Sequence, residues 1–181
     1  MTAADPVPEF SRKQALESVG SDGRTQRRLI ASVAECAALA RRLGLETLHD
    51  FVADMTIDRT PGGEIRVAGR IVADVVQACV VTLEPVPAHI DEAFEVRYTT
   101  HVNAMPQELV IGPDDDDPPE PLAGDVLDIG ELAAQQLALA LDPWPRLPDA
   151  ALPDSVQPDP ARDGPFAALA ALHGRRFDED C

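Results

Sequence analysis

Residues 65–83 read I-R-V-A-G-R-I-V-A-D-V-V-Q-A-C-V-V-T-L, and their odd positions are apolar: Ile65, Val67, Ile71, Ala73, Val75, Cys79, Val81 and Leu83. Only Gly69 and Gln77 interrupt the series. A period of two held over this length is the mark of one β-strand with a buried face. Gly69 offers a bend or bulge, because a side chain is missing in mid-strand. Cys79, on the buried face, is expected to act as a small core hydrophobe. Pro85 and Pro87 break the strand.

Working outward, Leu45 to Ile57 alternates too, with Leu45, Phe51, Ala53, Met55 and Ile57 on one face. Thr60-Pro61-Gly62-Gly63 supplies the turn into the long strand. Ile90 to Val102 alternates on even positions: Ile90, Phe94, Val96, Tyr98 and Val102. Consecutive strands with short links favour an antiparallel meander, and strands this long are expected to curl strongly. Two helices flank them. Ser32-Val33-Ala34-Glu35 has the form of a capping box, opening a helix that stops at Gly44. Its apolar stripe is Val33, Ala37, Ala40 and Leu43, with Cys36 beside it. Asp128-Ile129-Gly130-Glu131 repeats the logic for a helix over Ile129 to Leu141, apolar nearly all round from Leu137 and hence expected to be buried. The predicted fold class is α+β: an antiparallel β-meander, strongly curled or partly barrel-like, packed with two main helices.

Residues 1–147 form the predicted single domain. Val7, Phe10 and Leu16 suit a short strand or arm, and Gly20, Asp22 and Gly23 mark a turn. Prolines and aspartates alternate from Arg146 to Gly164, so residues 148–164 read as a mobile linker. Residues 165–181 read as a tail with a short amphipathic helix, carrying Phe166, Leu169 and Leu172 on one side.

Charge bounds the function. The 181 residues carry a net charge of −17. Residues 1–45 hold seven Arg or Lys against five Asp or Glu, and the remainder holds eight against twenty-seven. Most of this surface repels nucleic acid. Direct RNA contact is therefore expected from the N-terminal arginines Arg24, Arg27, Arg28, Arg41 and Arg42, whose guanidinium forks match phosphate oxygens. The plainer alternative is a solvated face. No aromatic lies near them, which argues against base stacking. Asp114, Asp115, Asp116 and Asp117 open an acidic, proline-rich loop. Four consecutive carboxylates lack the spacing and turn glycine of a calcium loop; they suit a basic protein partner.

Nothing in the chain has the pattern of a catalytic, cofactor or metal site. His49, His89, His101 and His173 are scattered, and Cys36, Cys79 and Cys181 form no close pair. No Gly-rich loop leads from a strand into a helix, and no Ser or Cys sits in a nucleophile elbow. The expectation is a protein that is not an enzyme and takes no cofactor or small-molecule substrate. The first residues lack the form of a secretory signal, and no run is long enough to span a membrane, so a cytoplasmic location is expected.

The stretch G-x-I-x-A-x-V-x-Q-x-C-V-V-T-L-E-P from Gly69 to Pro85 resembles the core of the YceD family, the large ribosomal RNA subunit accumulation proteins. Phe10-Ser11-Arg12, the helix from Ala34 to Leu45, Leu127-Asp128-Ile129-Gly130-Glu131 and Leu141-Asp142-Pro143-Trp144-Pro145 add to it, as does Pro165 to Leu169. The resemblance implies a factor that supports synthesis, processing or stability of 23S rRNA in the 50S pathway, through precursor rRNA, a ribosomal protein or both. An acidic chaperone or adaptor for a basic partner, without RNA contact, is the alternative. Many members of the family carry C-x-R-C-L here, with further cysteines near the C-terminus, a zinc-like arrangement. In this chain Thr82 stands at the second cysteine's position, so a zinc role is not carried over.

Overall fold

The structure, a computed structural model, describes residues 8–19, 23–60, 63–100 and 118–151. In chain order its elements are β1 (Lys13–Ala15), β2 (Arg24–Ile30), α1 (Val33–Leu43), β3 (Thr47–Arg59), β4 (Glu64–Ala78), β5 (Pro85–Thr99), β6 (Glu120–Pro121), β7 (Val126–Asp128) and α2 (Ile129–Ala140). Five strands form one sheet in the order β2-β3-β4-β5-β6. All its pairings are antiparallel except that of β6 with β5. β1 and β7 make a separate antiparallel ribbon. The acidic run Asp114 to Asp117, the linker beyond Ala151 and the tail helix lie outside the described residues.

The α+β class and the antiparallel meander of β3, β4 and β5 stand as expected. The strong curl and partial barrel do not. The sheet is open, with β2 and β6 at opposite edges. Closure is not needed to bury the inner face, because α1, α2 and the N-terminal arm cover it. Phe51, Ile57, Ile65, Val67, Ile71 and Val75 meet Phe10, Leu39, Leu132 and Leu137 in one cluster.

The long strand is shorter than its periodicity suggests. β4 ends at Ala78, and the next residues turn back: the Cys79 N–H donates to the Glu84 carbonyl at 2.8 Å and the Leu83 N–H to the Cys79 carbonyl at 2.9 Å. Leu83 takes a left-handed φ of 63° and is exposed. β5 then starts at Pro85, earlier than expected. Prolines are tolerated there because β4 is the only described neighbour of that stretch, so the missing N–H groups break no inner ladder.

Gly69 makes no bulge. It pairs in register with Met55 on one side and Phe94 on the other. A Cβ there would stand 2.6 Å from the Asp54 carbonyl oxygen and 2.9 Å from Phe94 Cζ, so the glycine makes room for the Phe94 ring. The register shift falls instead in β3, between His49 and Val52, where Asp50 has a φ of 49°. The extra residue moves the buried series from Leu48 to Phe51, which explains why odd positions 47 and 49 hold Thr and His.

Both caps form. Ser32 Oγ accepts the Glu35 N–H, Glu35 Oε2 accepts the Ser32 N–H at 2.8 Å, and Gly44 closes α1 with a φ of 68°. The buried stripe of α1 is Cys36, Leu39 and Ala40, while Val33 and Ala37 face out. The helix is thus apolar over a wider arc than the body covers. α2 is likewise less enclosed than expected, since Leu139 is exposed.

Candidate nucleic-acid interface

The five N-terminal arginines do not form one face. Arg42, on the last turn of α1, reaches α2: its Nη1 and Nη2 donate to Glu131 Oε2 and Oε1 at 2.8 and 2.6 Å, and Nη1 also meets Glu9 at 3.2 Å. The Arg42 guanidinium holds the Glu131 carboxyl below its ordinary range. Arg42 is therefore a tie between helices. Arg41 is exposed and bonds only the Ala37 carbonyl of its own helix among the contacts described.

That tie belongs to a larger clasp at the start of α2. The Asp128 carboxylate caps the helix by accepting the Gly130 and Glu131 N–H groups at 3.1 Å. It also accepts the Arg12 N–H at 2.7 Å and the Ser11 hydroxyl. The Ile129 N–H returns a bond to the Arg12 carbonyl at 3.0 Å. Burial alone would raise the Asp128 carboxyl; these donors outweigh it and hold the group below its ordinary value. Gly130 is obligatory, as a Cβ would lie 2.3 Å from the Phe10 carbonyl oxygen. Arg12 lies over the Phe10 ring at 4.6 Å and pairs with Glu35 of the α1 cap at 2.8 Å. Phe10-Ser11-Arg12 and Leu127 to Glu131, distant in sequence, are one structural unit.

β2 divides the remaining three arginines by its period of two. Arg27 points with Met55 and Leu29 to the inner side, where its Nε donates to Gln14 Oε1 at 2.8 Å. Arg24 and Arg28 point to the outer face. The pairing register sets them in rows with residues of the body: Arg24, Asp58, Arg66 and Arg97 in one, and Arg28, Asp54, Arg70 and Ala93 in another. Gln26, Thr56, Ala68 and Glu95 lie between. These small and polar side chains leave a depression of about 590 Å³, walled by Arg28, Asp54 and Arg70. The two arginine rows stand roughly 13 Å apart, four residues along each strand.

Carboxylates interleave with this array. Arg24 and Arg66 approach Asp58 at 3.6 and 4.0 Å, Arg28 approaches Asp54 at 3.4 Å, and Arg66 meets Glu95 at 2.5 Å. Arg70 holds Asp91 through two bonds, one of them 2.5 Å. The guanidiniums depress the Glu95 and Asp91 carboxyls in turn. Over the whole outer face five arginines stand among six carboxylates, Asp54, Asp58, Glu64, Asp74, Asp91 and Glu95. The face is thus close to neutral, in contrast with a chain of −17. No described element covers this side.

Arg66, Arg70 and Arg97 were not among the candidates read from sequence. The available signal was parity: if the odd positions of residues 65–75 are buried, Arg66 and Arg70 point outward with the even ones.

The turn after β4 holds a second polar arrangement. The Thr82 hydroxyl donates to the Cys79 thiol, with the Leu147, Thr82 and Val81 N–H groups also turned toward the sulfur, and together they lower its pKa to about 7. Cys79 is fully buried but stands apart from the main core. Positions 79 and 82 are thus in contact. Among the described residues no three His, Cys, Asp or Glu side chains are placed to share a metal ion. No helix among them is long and apolar enough to cross a membrane.

No match was found among the curated proteins or the solved structures. The family model described as "Large ribosomal RNA subunit accumulation protein YceD" matches residues 67–173, from near the start of β4 into the tail. That is more than half of the chain, and the protein belongs to the YceD family.

Proposed function

We propose that this protein is a non-enzymatic ribosome-biogenesis factor, acting in the cytoplasm on precursor 23S rRNA, and that the outer sheet face is its phosphate-contacting surface. The observation that carries the proposal is the register that gathers Arg24, Arg28, Arg66, Arg70 and Arg97 on one face that no described element covers, where charge nearly balances in a strongly acidic chain. Arg24 and Arg28 remain from the N-terminal group; Arg27, Arg41 and Arg42 fall outside the patch. Phosphates would compete with Asp54, Asp58, Asp91 and Glu95 for guanidiniums already held in position. Such contact is sequence-independent, and the absence of aromatic side chains on these rows fits recognition of backbone rather than bases. The acidic run Asp114 to Asp117 would repel RNA and suit a basic ribosomal protein.

The test is binding to large-subunit rRNA fragments at several salt concentrations. Replacing Arg28, Arg66 and Arg70 by Gln should weaken binding and flatten its salt dependence by about one unit of slope per lost phosphate contact. Arg41→Gln should not. Wild-type binding by the triple variant would remove the sheet face from the proposal. A second reading rests on the carboxylates themselves. Because Arg28, Arg66 and Arg70 are each paired, the face also suits a protein of mixed charge. Wild type that binds no rRNA at any salt would favour this adaptor reading.

A further inference from the structure

A groove of about 480 Å³ runs between α1 and the start of β3. Its floor and walls include Cys36, Ala40, Leu45, Leu48 and Val52. Beside it stand Ile30, 63% exposed, and Val33, 88% exposed. Val33 and Ala37 belong to the apolar arc of α1 that the body leaves uncovered. Glu46 and Asp50 add negative charge to the rim.

The end of the described chain lies at the same end of the sheet. The Glu46 N–H donates to the Val76 carbonyl at 2.8 Å, and Gln77 Nε2, one residue on, donates to the Asp142 carbonyl at 2.9 Å. The Val80 N–H then donates to the Pro145 carbonyl at 2.9 Å. The segment after α2 therefore leaves close to the groove's rim. Between Ala151 and Phe166 lie fourteen residues. Fully extended they reach about 50 Å, so the tail is not sterically barred from any part of this end.

The tail sequence suits the groove. Pro165-Phe-Ala-Ala-Leu-Ala-Ala-Leu172 sets Phe166, Leu169 and Leu172 at helical spacing, with proline before and Gly174 after. Arg175 and Arg176 follow, opposite in sign to Glu46 and Asp50. We propose that residues 166–172 of the same chain seat in this groove as a short helix, packing Phe166, Leu169 and Leu172 against Ile30, Val33 and Ala37. Intrachain docking needs no partner and covers the apolar arc of α1. The inference does not rest on the RNA reading, although Ile30 and Val52 at the groove's edge share the outer face with the row of Arg28 and Asp54.

The test uses the full-length chain with labelled methyl groups. Nuclear Overhauser contacts between the Val33 or Ile30 methyls and the Phe166 ring should be present. They should vanish in Leu169→Asp, with the Val33 resonances shifting as solvent enters. Val33→Asp, at an exposed site that cannot disturb the core, should release the tail resonances in the same way. A sample mixing labelled and unlabelled chains separates the sources. Contacts that survive isotopic filtering between chains would mean that a second copy supplies the tail, and would overturn the proposal. Val33 resonances identical in wild type and Leu169→Asp would overturn it as well.

Discussion

Arg42 grips Glu131 through two parallel hydrogen bonds, 2.8 and 2.6 Å long, which fasten the C-terminal turn of α1 to the first turn of α2. The pair is only part-buried, so solvent screening limits its worth. Arg42→Gln should lower unfolding stability by about 1 kcal/mol, as bidentate geometry offsets some of that screening. Arg41→Gln should change it by less than about 0.5 kcal/mol. Urea titration of both variants checks this; equal effects would mean that the helix tie contributes nothing.

Asp128 should govern acid stability. Its carboxyl titrates below its ordinary value of 3.8 in the folded chain. A depressed folded value contributes stability that is present above the unfolded value and is lost as pH falls through the folded one. Asp128→Ala should cost roughly 2 kcal/mol or more at pH 7, from a lost cap and stranded donors at Arg12 and Ser11. The penalty should shrink below about pH 4 as wild type loses the same charge. Denaturation midpoints at pH 7 and pH 3 give the comparison, and a penalty independent of pH would contradict the assignment.

Gly130→Ala reverses an ordinary sign. In a helix, alanine is normally better than glycine by about 1 kcal/mol. Here the new Cβ meets the Phe10 carbonyl oxygen at 2.3 Å. The variant should instead lose roughly 1–3 kcal/mol through overpacking. Thermal melts decide it, and a stabilised variant would place the arm elsewhere.

Cys79 should show a thiol that titrates near pH 7 without a metal. Its Cβ chemical shift followed against pH gives the midpoint, and Thr82→Ala should raise it by removing the strongest donor to the sulfur, the Thr82 hydroxyl. Metal analysis of the purified protein should find far less than one zinc per chain. Stoichiometric zinc lost on Cys79→Ser would refute this.

Periodicity carried most of the fold and little of the site. The inner faces of β3, β4 and β5, the Ser32 and Asp128 caps and the Gly44 stop are local signals, written in adjacent residues. β2 escaped because R-T-Q-R-R-L-I offers the core only Leu29; an edge strand has little apolar face to display. The N-terminal arginines are divided for a related reason. Arg24, Arg27 and Arg28 are neighbours in sequence, but a strand sends 27 to one side and 28 to the other. Arg66, Arg70 and Arg97 join the outer rows only through cross-strand register, which depends on turns and on the shift at His49. Gly69 has the same lesson, since Phe94, which needs its space, lies on the next strand.

The clasp of Ser11 and Arg12 on Asp128 also sets an order of events. Its partners are 117 and 116 residues apart, so the arm that is made first has no seat until α2 exists. Closing so long a loop is slow, and its entropy cost is met before the contact gives anything back. On a translating ribosome, Phe10 would wait uncovered while the sheet forms beside it. Residues that leave the exit tunnel well before α2 are then among the last to find their place.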